Sequence, residues 1–189
     1  MKIYLASASP RRSMLLKKIG INFEHIFPKA EEILEEGINP ETLVRRNAIL
    51  KAKNVLNEID EGIIIAADTI VVKDSNVLGK PKDAQEAYRM LMMLSGISHD
   101  VFTAVVVLEK NSNMMEITVE KTKVTMRKLR EEEVKKYIKS GEPLDAAGAY
   151  KIQEMGGKFI KRIEGCYYNV VGLPLATLIE MLRKFKVEI

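Results

Sequence analysis

Residues 62 to 72, Gly-Ile-Ile-Ile-Ala-Ala-Asp-Thr-Ile-Val-Val, constrain the fold more than any other stretch. A β-branched run with no polar alternation predicts a central strand covered on both faces. Asp68 interrupts the run. Burying a lone carboxylate costs several kcal/mol or raises its pKa, so an aspartate here needs a partner or a chemical task. The bland alternative, capping a neighbouring loop, would hardly offset that cost. Asp68 is the first candidate functional residue.

The start of the chain supplies a second constraint. Lys2 to Leu5 reads as a short strand, followed by Ala6-Ser7-Ala8-Ser9-Pro10-Arg11-Arg12. Ser9 stands where a helix N-cap belongs and Pro10 suits the first helical position. Met14, Leu15, Lys18 and Ile19 continue at helical spacing, and Gly20 is placed to end the helix. A strand passing through small residues into a helix aims backbone N–H groups and the positive dipole end at the turn, an arrangement suited to an anion. Arg11 and Arg12 occupy a first turn where the dipole favours acids. Either they are two solvated arginines, or they face something negative; Ser7, Arg11 and Arg12 are read as a phosphate site.

Ile21 to Phe27 predicts a second strand, broken by Pro28 and followed by Glu31, Glu32, Glu35 and Glu36. The last two read as a solvated turn or helix start, whereas Glu31-Glu32 directly after a strand is a candidate metal-binding pair. Asn39-Pro40 opens a helix expected to run to about Asp60, with Val44, Ala48, Ala52, Val55 and Ile59 as its apolar stripe. Lys51 falls on the edge of that stripe, either snorkelling to solvent or aimed into a cleft. Lys80 is held between Gly79 and Pro81. Asp83 and Glu86 form a capping box for a helix that turns Ala87, Met90, Leu91 and Leu94 inward. Strands are expected over Asp100 to Glu109 and Met115 to Met126, joined by a hairpin at Asn111-Ser112-Asn113. A helix over Leu129 to Ser140 turns Val134, Tyr137 and Ile138 inward. The connection from Glu142 to Gln153 has loop composition, a common seat of function. A strand over Phe159 to Ile163 precedes a last helix that starts at Leu173-Pro174 and buries Ala176, Leu178, Ile179 and Leu182.

Composition narrows the class. The 189 residues suit one domain spanning 1–189, folded as two lobes without a separate linker. A net charge of +4 is only mildly basic, and no aromatic-basic stacking platform stands out, so no stable nucleic-acid complex is expected. The single cysteine, Cys166, excludes an internal disulfide framework and fits a reducing compartment. Neither a signal-peptide apolar region nor a bilayer-length apolar run is present, and a soluble cytoplasmic protein is expected. There is no Gly-x-x-x-x-Gly-Lys-[Ser/Thr] loop and no Gly-x-Gly-x-x-Gly, so neither a P-loop nor a Rossmann dinucleotide site is indicated. Two histidines are too few for a histidine-based zinc site. What remains is cationic and phosphate-suited groups (Ser7, Arg11, Arg12, Lys51, Lys80) around carboxylates (Glu31, Glu32, Asp68). That combination suits a polyphosphate ester with a divalent metal.

The same residues carry a family resemblance. Ser7-Ala8-Ser9-Pro10-Arg11-Arg12, Glu31-Glu32, Lys51-Ala52, Ala67-Asp68-Thr69, Gly79-Lys80-Pro81, Ala147-Gly148-Ala149-Tyr150, Ile152-Gln153 and Val171-Gly172-Leu173-Pro174 resemble, in order, the motifs of the Maf family of nucleoside triphosphate pyrophosphatases. The resemblance implies a mixed α/β fold similar to inosine triphosphatase-like enzymes, with an elongated sheet, flanking helices and two lobes around a cleft. It implies cleavage between the α- and β-phosphates, with Asp68 as the proton acceptor for water. Ser7, Arg12, Lys51 and Lys80 would hold the triphosphate, and Glu32 with Asp68 would place Mg²⁺, or Mn²⁺ or Co²⁺. It further implies a homodimer.

Within the family, Arg11, Thr69 and Gln153 match the branch acting on dTTP and UTP, so these three are the expected specificity residues. The sister branch, acting on 7-methyl-GTP, carries an aromatic, a Gln and a Glu there. The alternatives are that sister activity, modified uridine triphosphates, or a non-catalytic nucleotide-binding regulator of septum formation. Three residues depart from the family pattern: Glu154 and Lys151 replace common glycines, and Asn47 replaces a usual leucine.

Overall fold

A computed structural model describes residues 1–33 and 37–188; the Glu35 and Glu36 expectation lies outside them. The chain is mixed α/β. Its strands are β1 (Ile3–Ala6), β2 (Glu24–Ile26), β3 (Ile63–Lys73), β4 (Asn76–Leu78), β5 (Ser98–Glu109), β6 (Met115–Met126) and β7 (Ile160–Glu164). They form a single sheet in the order β2-β1-β3-β5-β6-β7, with β4 paired to β3. β1 pairs in parallel with β2 and β3, whereas β3–β4 and β6–β7 are antiparallel. The helices are α1 (Pro10–Lys18), α2 (Pro40–Val55), α3 (Ala84–Leu94), α4 (Glu131–Ile138), α5 (Tyr167–Val171) and α6 (Leu175–Lys184).

The β-branched run is the central strand that its composition demands. Ile63 through Asp68 are all buried, and β1 continues the ladder beside it, with Ala6 opposite Ala66. The chain divides into two compact units. The first comprises 1–68, 103–120 and 172–189; the second comprises 69–102 and 121–171.

Helix starts follow local chemistry closely. Asn39 Oδ1 accepts from the Glu41 and Thr42 N–H groups at 2.9 and 3.2 Å, and Pro40 occupies the first turn. Asp83 Oδ1 accepts from Glu86 N–H at 2.7 Å, while the Glu86 carboxylate reaches back to Lys82 N–H at 2.6 Å, one residue before the expected cap. At α1 the division of labour differs from expectation: Ser9 holds the cap position but makes no side-chain cap bond. Its own N–H donates to Ser7 Oγ at 3.1 Å.

Several inward faces and ends differ from the sequence reading, each through tertiary packing. α1 buries Arg12, Leu15 and Leu16 and turns Met14 out, because the helix is phased to bring Arg12 inside. β2 shortens to the three residues that find partners on the four-residue β1. α2 gives way at Leu56 to a 3₁₀ turn, Leu56–Glu58, yet Ile59 stays buried. α4 spans only Glu131–Ile138, with Val134 and Tyr137 buried and Ile138 half-exposed. α6 begins one residue after Pro174, so Leu175, Leu178, Met181 and Leu182 face the core while Ala176 is exposed.

In the second unit, His99 is buried with Nε2 2.8 Å from the Tyr150 hydroxyl. Burial lowers the imidazole pKa from 6.5 to about 4, so between those values the unfolded chain binds a proton that the folded chain does not. Stability from His99 is complete above the unfolded pKa and is lost as the pH falls toward 4. Urea unfolding of wild type should therefore lose ~2 kcal/mol more between pH 7 and pH 4.5 than unfolding of His99→Gln.

Candidate active site

The site in the first unit is built on four parts of the chain. The β1–α1 turn supplies Ser7 and Arg12, the segment after β2 supplies Glu32, and α2 and β3 supply Lys51 and Asp68. Arg12 is only 8% exposed, unusual for a first-turn arginine. Its Nε donates to the Gly172 carbonyl at 2.9 Å and its Nη1 to Ser7 Oγ at 3.2 Å. Those bonds fix the plane of the guanidinium, which matters because its fork recognises oxyanions by direction as well as charge. Burial lowers the Arg12 pKa, and the Asp68 and Glu32 carboxylates raise it in opposition. An arginine nevertheless stays charged at any physiological pH.

Lys51 joins the acids. Its Nζ donates to Asp68 Oδ1 at 2.6 Å and to Glu32 Oε1 at 2.7 Å. The Lys51 and Asp68 side chains are 11% and 4% exposed, and Glu32 is 46% exposed. Lys51 does not simply snorkel to solvent: its ammonium bridges two carboxylates. Glu31 is exposed and Glu32 is the member of the pair that joins Lys51.

Asn47 was missed as a functional candidate. It is buried on α2, one helical turn before Lys51. Its Oδ1 accepts from Ile33 N–H at 2.8 Å; its Nδ2 donates to Ile33 O at 3.2 Å and reaches Asp68 Oδ2 at 3.4 Å. One amide therefore holds both backbone polar groups of Ile33, next to Glu32, and faces the second oxygen of Asp68. The available signal was a polar residue on an otherwise apolar helix stripe, beside Val44 and Ala48. Asn47→Leu should fold, because the stripe around it is apolar, but should lower kcat roughly tenfold by unfastening the Glu32 segment. Steady-state kinetics with a nucleoside triphosphate panel would check this.

Lys80, Thr69 and Gln153 belong to the second unit. Lys80 Nζ lies 3.5 Å from Asp145 Oδ1, and Lys151 Nζ lies 3.8 Å from Asp145 Oδ2. Gly148 N–H donates to Gly79 O at 3.1 Å, tying the late loop to the residue before Lys80. Gly148 has φ +68, and a Cβ there would meet Val71 at 2.9 Å, so only glycine allows this approach. Thr69 is half-buried. Gln153 is half-exposed and its Nε2 donates to Glu154 Oε1 at 3.3 Å, which orients the amide because a carboxylate only accepts. Arg11, in contrast to Arg12, is half-exposed.

A family model described as Maf-like protein matches residues 2–185. The chain belongs to the Maf family. Among relatives of this Maf-like chain, the dTTP/UTP pyrophosphatase of Carboxydothermus hydrogenoformans is 51% identical over 98% of this chain and 99% of its own length. The dTTP/UTP pyrophosphatases of Pelotomaculum thermopropionicum and Acetivibrio thermocellus are 45% and 43% identical, covering 97% and 100% of this chain and 96% and 97% of theirs. Among solved structures, the Staphylococcus aureus Ham1 protein is 15% identical with a TM-score of 0.47, over 67% of this chain and 72% of that one, too partial a likeness to carry weight.

Proposed function

We propose that this chain hydrolyses dTTP and UTP to the nucleoside monophosphate and pyrophosphate, with Asp68 as the general base. The observation that carries this reading is a buried aspartate on the central strand, 2.6 Å from a lysine that also grips Glu32. A buried ion pair is a poor way to gain stability, so its presence in the core favours a chemical task. The names of the relatives support the substrate.

The roles follow from the donor and acceptor inventory. Asp68 Oδ1 is taken by Lys51, whereas among the described residues Oδ2 has the long Asn47 contact alone, so Oδ2 is the oxygen suited to take a proton from water. As that proton leaves, the water oxygen bonds to phosphorus and the α–β anhydride bond breaks, its electrons departing with pyrophosphate. Lys51 has a third N–H to offer a phosphate oxygen beyond those given to Glu32 and Asp68. Ser7 and Arg12 bind phosphate, with the guanidinium held in place by Gly172. Lys80 also binds phosphate; its pair with Asp145 is half-exposed and therefore weak enough to be exchanged for one.

Glu32 and Asp68 fit a hard divalent cation: both offer carboxylate oxygens, and a single ammonium bridges them as such a cation could. Together with phosphate oxygens they would hold Mg²⁺, Mn²⁺ or Co²⁺, which supplies charge neutralisation at the phosphates.

Arg11, Thr69 and Gln153 select the base in this reading. The Gln153 amide matches the O4 and N3–H edge of thymine or uracil as donor and acceptor together. Gln153→Glu should lower kcat/KM for dTTP by roughly 100-fold, since a carboxylate cannot donate to O4. An unchanged dTTP rate would remove Gln153 from the base site.

No described helix is long and apolar enough to cross a membrane. We propose a homodimer working in the cytoplasm, to be tested by light scattering and fractionation. The function itself is tested by pyrophosphate release from a nucleotide panel with Mg²⁺ or Mn²⁺. Selective release from dTTP and UTP supports the reading; release from 7-methyl-GTP keeps the chemistry and overturns the base assignment; no release overturns both.

A further inference from the structure

The turn that carries Gln153 is fastened at both ends to one phenol–carboxylate pair. Tyr137, on α4, is fully buried and stacks edge-on against Phe159, with ring centroids 5.1 Å apart. Its hydroxyl donates to Glu142 Oε1 at 2.7 Å and accepts from Lys151 N–H at 3.2 Å. Glu142 in turn accepts from Met155 N–H through Oε2 at 3.2 Å and from Gly156 N–H through Oε1 at 3.0 Å. Residues 151 and 155–156 are thus pinned to the same two side chains, and the turn closes on itself through Glu154 N–H to Lys151 O at 3.3 Å. The closure is sterically tight. A Cβ on Gly156 would lie 2.7 Å from both Lys151 O and Tyr137 Oη. Burial raises the pKa of the phenol, with Glu142 adding to the effect, so the hydroxyl keeps the proton it donates.

We propose that Tyr137 and Glu142 are positioning residues for base recognition: they hold the Lys151–Gly156 turn so that the Gln153 amide is presented in one orientation. Neither residue is placed against substrate. The inference rests on the assignment of Gln153 to the base edge. Its physical content is preorganisation: a recognition amide on a fixed turn loses less freedom on binding than one on a mobile turn. The pair therefore acts on selectivity and KM, and leaves the phosphate chemistry alone.

Tyr137→Phe is the direct test, because it removes only the hydroxyl and keeps the ring packed on Phe159. Hydrogen exchange should show the Lys151, Met155 and Gly156 amides losing protection. In the same protein, kcat/KM for dTTP should fall about tenfold, mostly through KM, while kcat/KM for dCTP stays within about threefold. Glu142→Gln should show a smaller effect than Glu142→Ala, since the amide retains one acceptor oxygen for these donors. Combining Tyr137→Phe with Gln153→Ala should cost no more selectivity than Gln153→Ala alone, as expected if one acts through the other.

Loss of rate on every triphosphate alike would mean a purely structural pair and overturn the proposal. So would unchanged dTTP preference in a Tyr137→Phe protein whose turn amides have lost protection. A wild-type protein with no preference for dTTP would instead sink the reading of Gln153 itself, and the proposal with it. The two failures are told apart by the wild-type panel alone.

Discussion

Asp68→Asn should lower the rate of pyrophosphate release from dTTP by roughly 10³-fold or more, the range over which a positioned general base acts. The substitution keeps the volume of a buried side chain on β3 and removes only its charge and basicity. Lys51 keeps Glu32 as an ion-pair partner, so the fold should survive and the nucleotide should still bind. The measurement is single-turnover pyrophosphate release beside equilibrium binding of dTTP. Lost turnover with retained binding identifies Asp68 as a group that acts in the transition state. Turnover near wild type would mean that another group takes the proton.

Lys51→Met should abolish detectable turnover and also cost stability. Removing the ammonium leaves the Asp68 carboxylate nearly buried without its cation, and among the described residues its other oxygen has the long Asn47 contact alone. Breaking one partner out of a buried pair costs about 3 kcal/mol or more, much of it the penalty of the stranded charge. The double variant Lys51→Met/Asp68→Asn should then regain most of that loss, because no buried charge remains to be stranded. Urea unfolding of wild type, both single variants and the double variant measures this as a thermodynamic cycle. A double variant less stable than Lys51→Met would show that the methionine fails for packing reasons instead.

The reach of the sequence differs between these elements for physical reasons. Asp68 was legible because a charge inside an unbroken β-branched run conflicts with burial whatever the surrounding fold. The helix starts at Asn39-Pro40 and at Asp83 were legible because capping is a contact within four residues. Ser7 and Arg12 were singled out by a turn whose dipole disfavours arginine, but the bond from Arg12 to Gly172 joins residues 160 positions apart. Asn47 looked like a departure in an apolar stripe and is a clamp on Ile33, which is visible only once α2 lies against the segment after β2. Tyr137 read as a core aromatic, and its hydroxyl chemistry emerged with the turn beneath it.

By itself, the sequence determined the layered α/β class, the central strand, the caps that start the major helices and the family to which the chain belongs. Each follows from local energetics or from a collinear set of motifs. Only the tertiary structure decided which face of α1 and α6 turns inward, that Lys51 bridges Glu32 and Asp68, and that Tyr137 with Glu142 fastens the Gln153 turn. Those outcomes depend on contacts between residues far apart in the chain, where packing and charge pairing override helical periodicity.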